Sequence, residues 1–182
     1  MLERVLKFGL IAGVVVGVAM IGLVMLLTGA APSMLGMALG YLSMLIALTA
    51  VFVGVKRHRD EALGGVIGFW PALGMGLAIS AVAGVIYALA WEATLAISPM
   101  DFPAEFAKAM IAQAKASGAT GAALQKAIAD AEMFNVQYRN PLVRMPLTFT
   151  EIVPVALLVS LVSAALLRNP RFLPAREGPA AV

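Results

Sequence analysis

Two carboxylates, Glu92 and Glu151, stand inside apolar stretches of the sequence and need the most chemical explanation. A charged side chain within a run of membrane-spanning length is costly, so it faces protein or water rather than lipid and marks a candidate functional position. Glu92 follows Trp91 and lies little more than one helical turn after Tyr87. Two carboxylates brought together in a low dielectric cannot both ionise cheaply, so they share a proton, recruit a cation or are neutralised by a base. Arg144, just ahead of the run that holds Glu151, is the available base. Glu92, Glu151, Arg144, Tyr87 and Trp91 therefore form a candidate polar site for a cation, a proton or a small ligand.

Each carboxylate also has a structural explanation. Thr148-Phe149-Thr150-Glu151 fits the [ST]-x-x-E capping box directly before an apolar run, and the helix dipole favours an acid in a first turn. Glu92 falls toward the end of its helix, where the dipole opposes an anion, so capping does not account for it. Snorkelling to the interface beside Trp91, or pairing with Arg144, would.

The elements that must position these residues follow from composition and run length. Hydrophobic residues make up 62% and charged residues 13% of the chain, with a mean hydropathy of +0.94. A soluble domain holds about 45–50% apolar and about 25% charged residues, so the bilayer is the expected solvent. The net charge of +3 is spread among apolar runs without interleaved aromatics, which argues against nucleic acid. Cysteine is absent, which removes disulfides, thiolate metal sites and cysteine nucleophiles. The single histidine, His58, has no companions at metal spacing and is expected to be a solvated loop residue. Residues 62–69 are glycine-rich but match neither GxxxxGK[ST] nor GxGxxG, and no cofactor is expected.

Four runs are long enough to cross a hydrocarbon core: 8–27, 34–55, 71–97 and 147–167. The expected fold is an all-α integral membrane protein with four transmembrane helices and an extracytoplasmic helical hairpin between the third and fourth. A cleaved signal peptide ending at Gly29-Ala30-Ala31 competes for the first run, but that run exceeds the usual apolar core of about 7–15 residues. Gly9, Gly13 and Gly17, and likewise Gly36 and Gly40, recur every four residues. Such spacing admits a close helix, either within the chain or from a second copy or membrane partner.

The hairpin is expected over about 101–138. Asp101 and Thr120 are its candidate caps, Ser117-Gly118 is its turn, and Asn140-Pro141 and Met145-Pro146 are two breaks after it. The segment 169–182, with Pro170, Pro174 and Pro179, reads as a disordered tail. Arg4, Lys7, Lys56, Arg57, Arg59, Arg168, Arg171 and Arg176 fall on one side of this threading, eight of the 13 Lys and Arg residues. The positive-inside rule then puts both termini in the cytoplasm.

The chain resembles a family of small bacterial membrane proteins, domain of unknown function 4199. The resemblance rests on Gly40-Tyr41-Leu42-Ser43-Met44, on Lys56-Arg57-His58-Arg59-Asp60 with Gly64-Gly65, and on Tyr87 with Trp91. It continues through Tyr138-Arg139-Asn140-Pro141, Thr148-Phe149-Thr150-Glu151-Ile152-Val153-Pro154-Val155 and Ser160-Leu161-Val162-Ser163-Ala164. It implies a four-helix protein of the bacterial inner membrane and assigns no activity. A non-enzymatic accessory or scaffold subunit is the first functional expectation. A small oligomeric transporter, or a cation- or proton-binding protein using the carboxylates, is the second. An enzyme comes third, because the usual nucleophile–base sets and metal motifs are missing.

Overall fold

The computed structural model describes residues 1–26 and 34–175. The proposed cleavage site at Gly29-Ala30-Ala31 and the first interhelical turn lie outside the described residues, as does the tail beyond Ala175. Six helices follow in order: α1 (Leu2–Leu26), α2 (Met34–Ala62), α3 (Phe69–Ile97), α4 (Phe102–Ala116), α5 (Gly121–Tyr138) and α6 (Pro141–Leu167). No strand occurs among the described residues. α1, α3, α6 and nearly all of α2 are long and apolar enough to cross a membrane.

These four helices form a bundle in which α1 lies against α2 and α3, and α6 against α3 and α2. α2 also touches α3 across the middle. A shared core of Phe8, Val16, Leu48, Val51, Val55, Met75, Ile79 and Ile152 fills the centre. The N-terminus, the end of α2, the start of α3 and the end of α6 meet at one end of the bundle; α4, α5 and the start of α6 lie at the other.

The glycine repeat of α1 is filled from within the chain. A Cβ on Gly9 would sit 2.5 Å from Val82 Cβ, one on Gly13 2.6 Å from Ile86 Cβ, and one on Gly17 2.9 Å from Ala90 Cβ. The even advance along both helices makes α1 and α3 parallel, at a separation that side chains on α1 would forbid. This stripe is therefore not a free face for a second copy. Gly40 differs, because a Cβ there would meet nothing within 4 Å.

Three local expectations are corrected. The basic cluster is not a loop, since α2 continues to Ala62. His58 is consequently a helical residue, with Nδ1 3.1 Å from Arg4 Nη1. Met145-Pro146 does not break the chain, because α6 starts at Pro141 and carries Pro146 and Pro154 inside it. Asn140 explains the early start: its side chain accepts from the Leu142 N–H at 3.0 Å, and Pro141 follows at the first helical position, where a missing N–H costs nothing.

The tail, expected to be disordered from Asn169 onward, folds back as far as Ala175. Arg59 is fully buried, with 0% exposure, and donates Nη1 to the Phe172 carbonyl at 3.0 Å and Nη2 to the Leu173 carbonyl at 2.5 Å. Its Nε reaches Asp60 Oδ1 at 2.6 Å. A buried guanidinium needs acceptors all round its fork, and the tail carbonyls supply them. Phe172 also packs edge-on against Phe52, with ring centroids 6.4 Å apart.

Candidate functional site

The five residues expected to form a site lie at the end of the bundle where α3 finishes and α6 begins, and the antiparallel packing of these helices sorts them into two pairs. Arg144 grips Glu92 with two prongs, Nε to Oε1 at 2.7 Å and Nη2 to Oε2. Deeper in the bundle, the Tyr87 hydroxyl donates to Glu151 Oε2 at 3.3 Å. The two carboxylates are thus held by different side chains, Glu92 by Arg144 and Glu151 by Tyr87. Of the two carboxylates, Arg144 pairs with Glu92 alone.

Glu151 is not a capping residue. Its helix begins ten residues earlier, so Thr148 and Glu151 lie in the interior of α6 on the face that carries Arg144. Spacings of four and three residues keep these side chains aligned toward α3. Close approach at this level depends on Gly84, where a Cβ would come within 2.7 Å of the Phe149 ring. Below it, Ser80 and Ser160 stand 3.5 Å apart, both buried, and Gly76 makes room for Ser160.

Tyr138, at the end of α5, links the two layers. Its hydroxyl accepts from Trp91 Nε1 at 2.9 Å, its carbonyl accepts from Arg144 Nη1 at 3.0 Å, and the Arg144 guanidinium lies 5.8 Å from its ring centre. Burial pushes the Tyr138 phenol above its ordinary range, so it stays protonated at physiological pH. Thr148, 1% exposed, lies beside the same hydroxyl without reaching hydrogen-bonding geometry.

An aromatic column extends from this point. Trp91 meets Phe102 edge-on at 4.9 Å, Phe102 lies 5.6 Å from Tyr138, Phe106 4.9 Å from Phe134, and Phe134 stacks on Tyr138 at 4.8 Å. Asp101 caps α4 by accepting from Ala104 N at 3.3 Å and pairs with Arg139 at 2.6 Å. The Arg139 hydrogen bond holds the Asp101 carboxyl below the usual carboxylate range. α4 and α5 are thus fastened to each other and to α3 and α6 by rings and ion pairs.

Tyr138 and Phe102 are organising residues that sequence reasoning misses. The available signal is two aromatics four apart on each short helix, Phe102 with Phe106 and Phe134 with Tyr138, a spacing that places each pair on one face. Among the described residues no group of three or more His, Cys, Asp or Glu could hold a metal ion.

The chain matches the family described as Protein of unknown function (DUF4199) over residues 7–169, from the first turns of α1 to just beyond α6. It belongs to that family. In this DUF4199 member, the matched span takes in Glu92, Arg144, Tyr138, Trp91, Tyr87 and Glu151. No curated protein and no solved structure matches the chain.

Proposed function

We propose that the protein is an integral inner-membrane scaffold or accessory subunit with both termini in the cytoplasm. Its α4–α5 unit is an extracytoplasmic platform for a membrane-protein partner. The observation that carries this reading is the lock at Tyr138. Trp91, Arg144 and Glu92 spend their polar groups on fixing α5 to α3 and α6, so the Glu92 carboxylate is occupied by Arg144 rather than free to take a proton from a substrate. A rigid surface held clear of the bundle suits binding better than turnover. The excess of Lys and Arg at the opposite end supports the orientation.

Copurification and crosslinking in mild detergent test the proposal. A stoichiometric membrane protein crosslinked to α4 or α5 is the expected result; an isolated monomer at native expression levels would sink it.

A second reading, cation or proton binding, is favoured by one observation. Glu151 keeps part of its surface accessible while its Oε2 faces α3, and its hydrogen bond comes from the Tyr87 hydroxyl rather than from a cation. Loss of cation or proton binding in Glu151→Gln, with Glu92→Gln unchanged, would bring this reading ahead of the first.

A further inference from the structure

At the opposite end of the bundle, α1 and α2 enclose an open cavity of about 240 Å³ lined by Glu3, Arg4, Lys7, Phe8, Arg57 and Glu61. Arg4 is held in place across the helix pair, with Nη2 3.0 Å from Glu61 Oε2 and Nη1 3.1 Å from His58 Nδ1. Lys7 and Arg57 are exposed on the same lining, and neither lies within salt-bridge distance of a carboxylate among the described residues. Glu3, four residues before Lys7, leaves one acceptor beside these two cations.

Exposed apolar residues run away from both cations along their helices. Leu10 and Val14 follow Lys7 at i+3 and i+7 and are 52% and 53% exposed; Val53 and Ile46 precede Arg57 by four and eleven residues and are 41% and 57% exposed. Cations above paired apolar stripes match the build of a phospholipid, with phosphate at the rim and acyl chains below. A free phosphate would have no use for the stripes.

We propose that the cavity between α1 and α2 binds the headgroup of an anionic glycerophospholipid, with Lys7 and Arg57 on the phosphate and Glu3 accepting from a headgroup hydroxyl. Arg4, fixed by Glu61 and His58, supplies field rather than a mobile contact. This assignment stands apart from the platform role of α4 and α5.

Native mass spectrometry of the full chain in neutral detergent, titrated with phosphatidylglycerol and with phosphatidylcholine, tests it. The wild-type protein is expected to prefer phosphatidylglycerol. Lys7→Gln with Arg57→Gln should weaken that binding about thirtyfold, the equivalent of about 1 kcal/mol for each cation near a membrane surface. Lys7→Arg with Arg57→Lys should keep it. Removing the same charge at the far end, as Lys108→Gln with Lys115→Gln, should leave it unchanged.

Unaltered phosphatidylglycerol binding in the first double variant would overturn the proposal. So would equal loss in the far-end variant, which would mean bulk charge alone. Displacement of the lipid by millimolar inorganic phosphate would overturn it in favour of a free-phosphate site. Unfolding temperatures of all variants, expected to match because the four altered residues are exposed, separate lost binding from lost folding.

Discussion

Arg144 closes a two-pronged ion pair on Glu92 and, with its remaining nitrogen, donates to the Tyr138 carbonyl at 3.0 Å. One side chain on α6 thereby holds the end of α3 and the end of α5 together. The planar fork of arginine suits this arrangement, and the point charge of lysine does not.

Removing that cation leaves Glu92 without its partner. Breaking a fully buried pair costs roughly 3–5 kcal/mol, but these side chains keep 12% and 24% exposure, so Arg144→Met should cost about 2 kcal/mol. Glu92→Gln combined with Arg144→Met should recover part of the loss, because no orphaned charge remains. Thermal unfolding in detergent measures both. Equal stability of Arg144→Met and the wild type would show that the pair is dispensable.

Glycine positions distinguish packing inside the chain from packing between copies. Gly13→Ala puts a methyl 2.6 Å from Ile86 Cβ and should cost about 1–3 kcal/mol through overpacking. Gly40→Ala meets no neighbour within 4 Å and should stabilise α2 by up to about 1 kcal/mol through helix propensity. Unfolding temperatures should therefore move in opposite directions. Loss of an oligomer in Gly40→Leu alone would assign that open face to a second copy.

The Asp101–Arg139 pair gives α4 a pH dependence of known sign. The folded carboxyl is held below its unfolded value by the Arg139 hydrogen bond. Its contribution is therefore complete above the ordinary carboxylate pKa and disappears as pH falls through the lower folded value. Asp101→Asn keeps a residue able to cap α4 while removing the charge, so wild type and variant should differ at neutral pH and converge in acid. Hydrogen exchange of the first turn of α4 measured against pH reads this directly, and a constant difference at all pH values would refute it.

Arg59 ties the segment after α6 to α2, and the tie should be visible to a protease. Arg59→Gln shortens the side chain and loses the fork that reaches the Phe172 and Leu173 carbonyls. Trypsin should then cut faster after Arg168 and Arg171 than in the wild-type protein, while cleavage within α4 and α5 stays unchanged. Phe172→Ala, which removes the ring packed on Phe52, should give a weaker form of the same effect. Unchanged rates in both variants would mean that the segment is held by something else.

Run length and charge spacing are enough to read four long helices, a helical segment between the third and fourth, and the Asp101 cap, because each depends on local pattern. The pairing of Glu92 with Arg144 is legible as one of two alternatives, since antiparallel threading brings those levels together. Tyr138 is not, because its role depends on how α5 lies across α3, and no local spacing encodes that. Arg59 reads as a topology signal for a similar reason: the acceptors that bury it arrive from residues 172 and 173, more than a hundred positions away. The capping box fails because Asn140 and Pro141 form a stronger helix start, upstream of Leu147 where the fourth apolar run begins, and α6 takes that earlier boundary.

That competition between helix starts can be measured. Asn140 accepts from Leu142 N at 3.0 Å, so Asn140→Ala should remove a true cap and cost about 1 kcal/mol, within the usual range of about 0.5–2. Thr148, the residue a capping box would require, is buried inside α6 with a hydroxyl that meets no hydrogen-bond partner among the described residues. Thr148→Val replaces that hydroxyl with a methyl of the same shape, so it should leave stability unchanged or raise it slightly. If α6 instead began at Thr148, the ranking would reverse: Thr148→Val would cost about 1 kcal/mol and Asn140→Ala nothing. Unfolding temperatures of the two variants, with hydrogen exchange across 141–151 to locate the first protected amide, decide between the two helix starts.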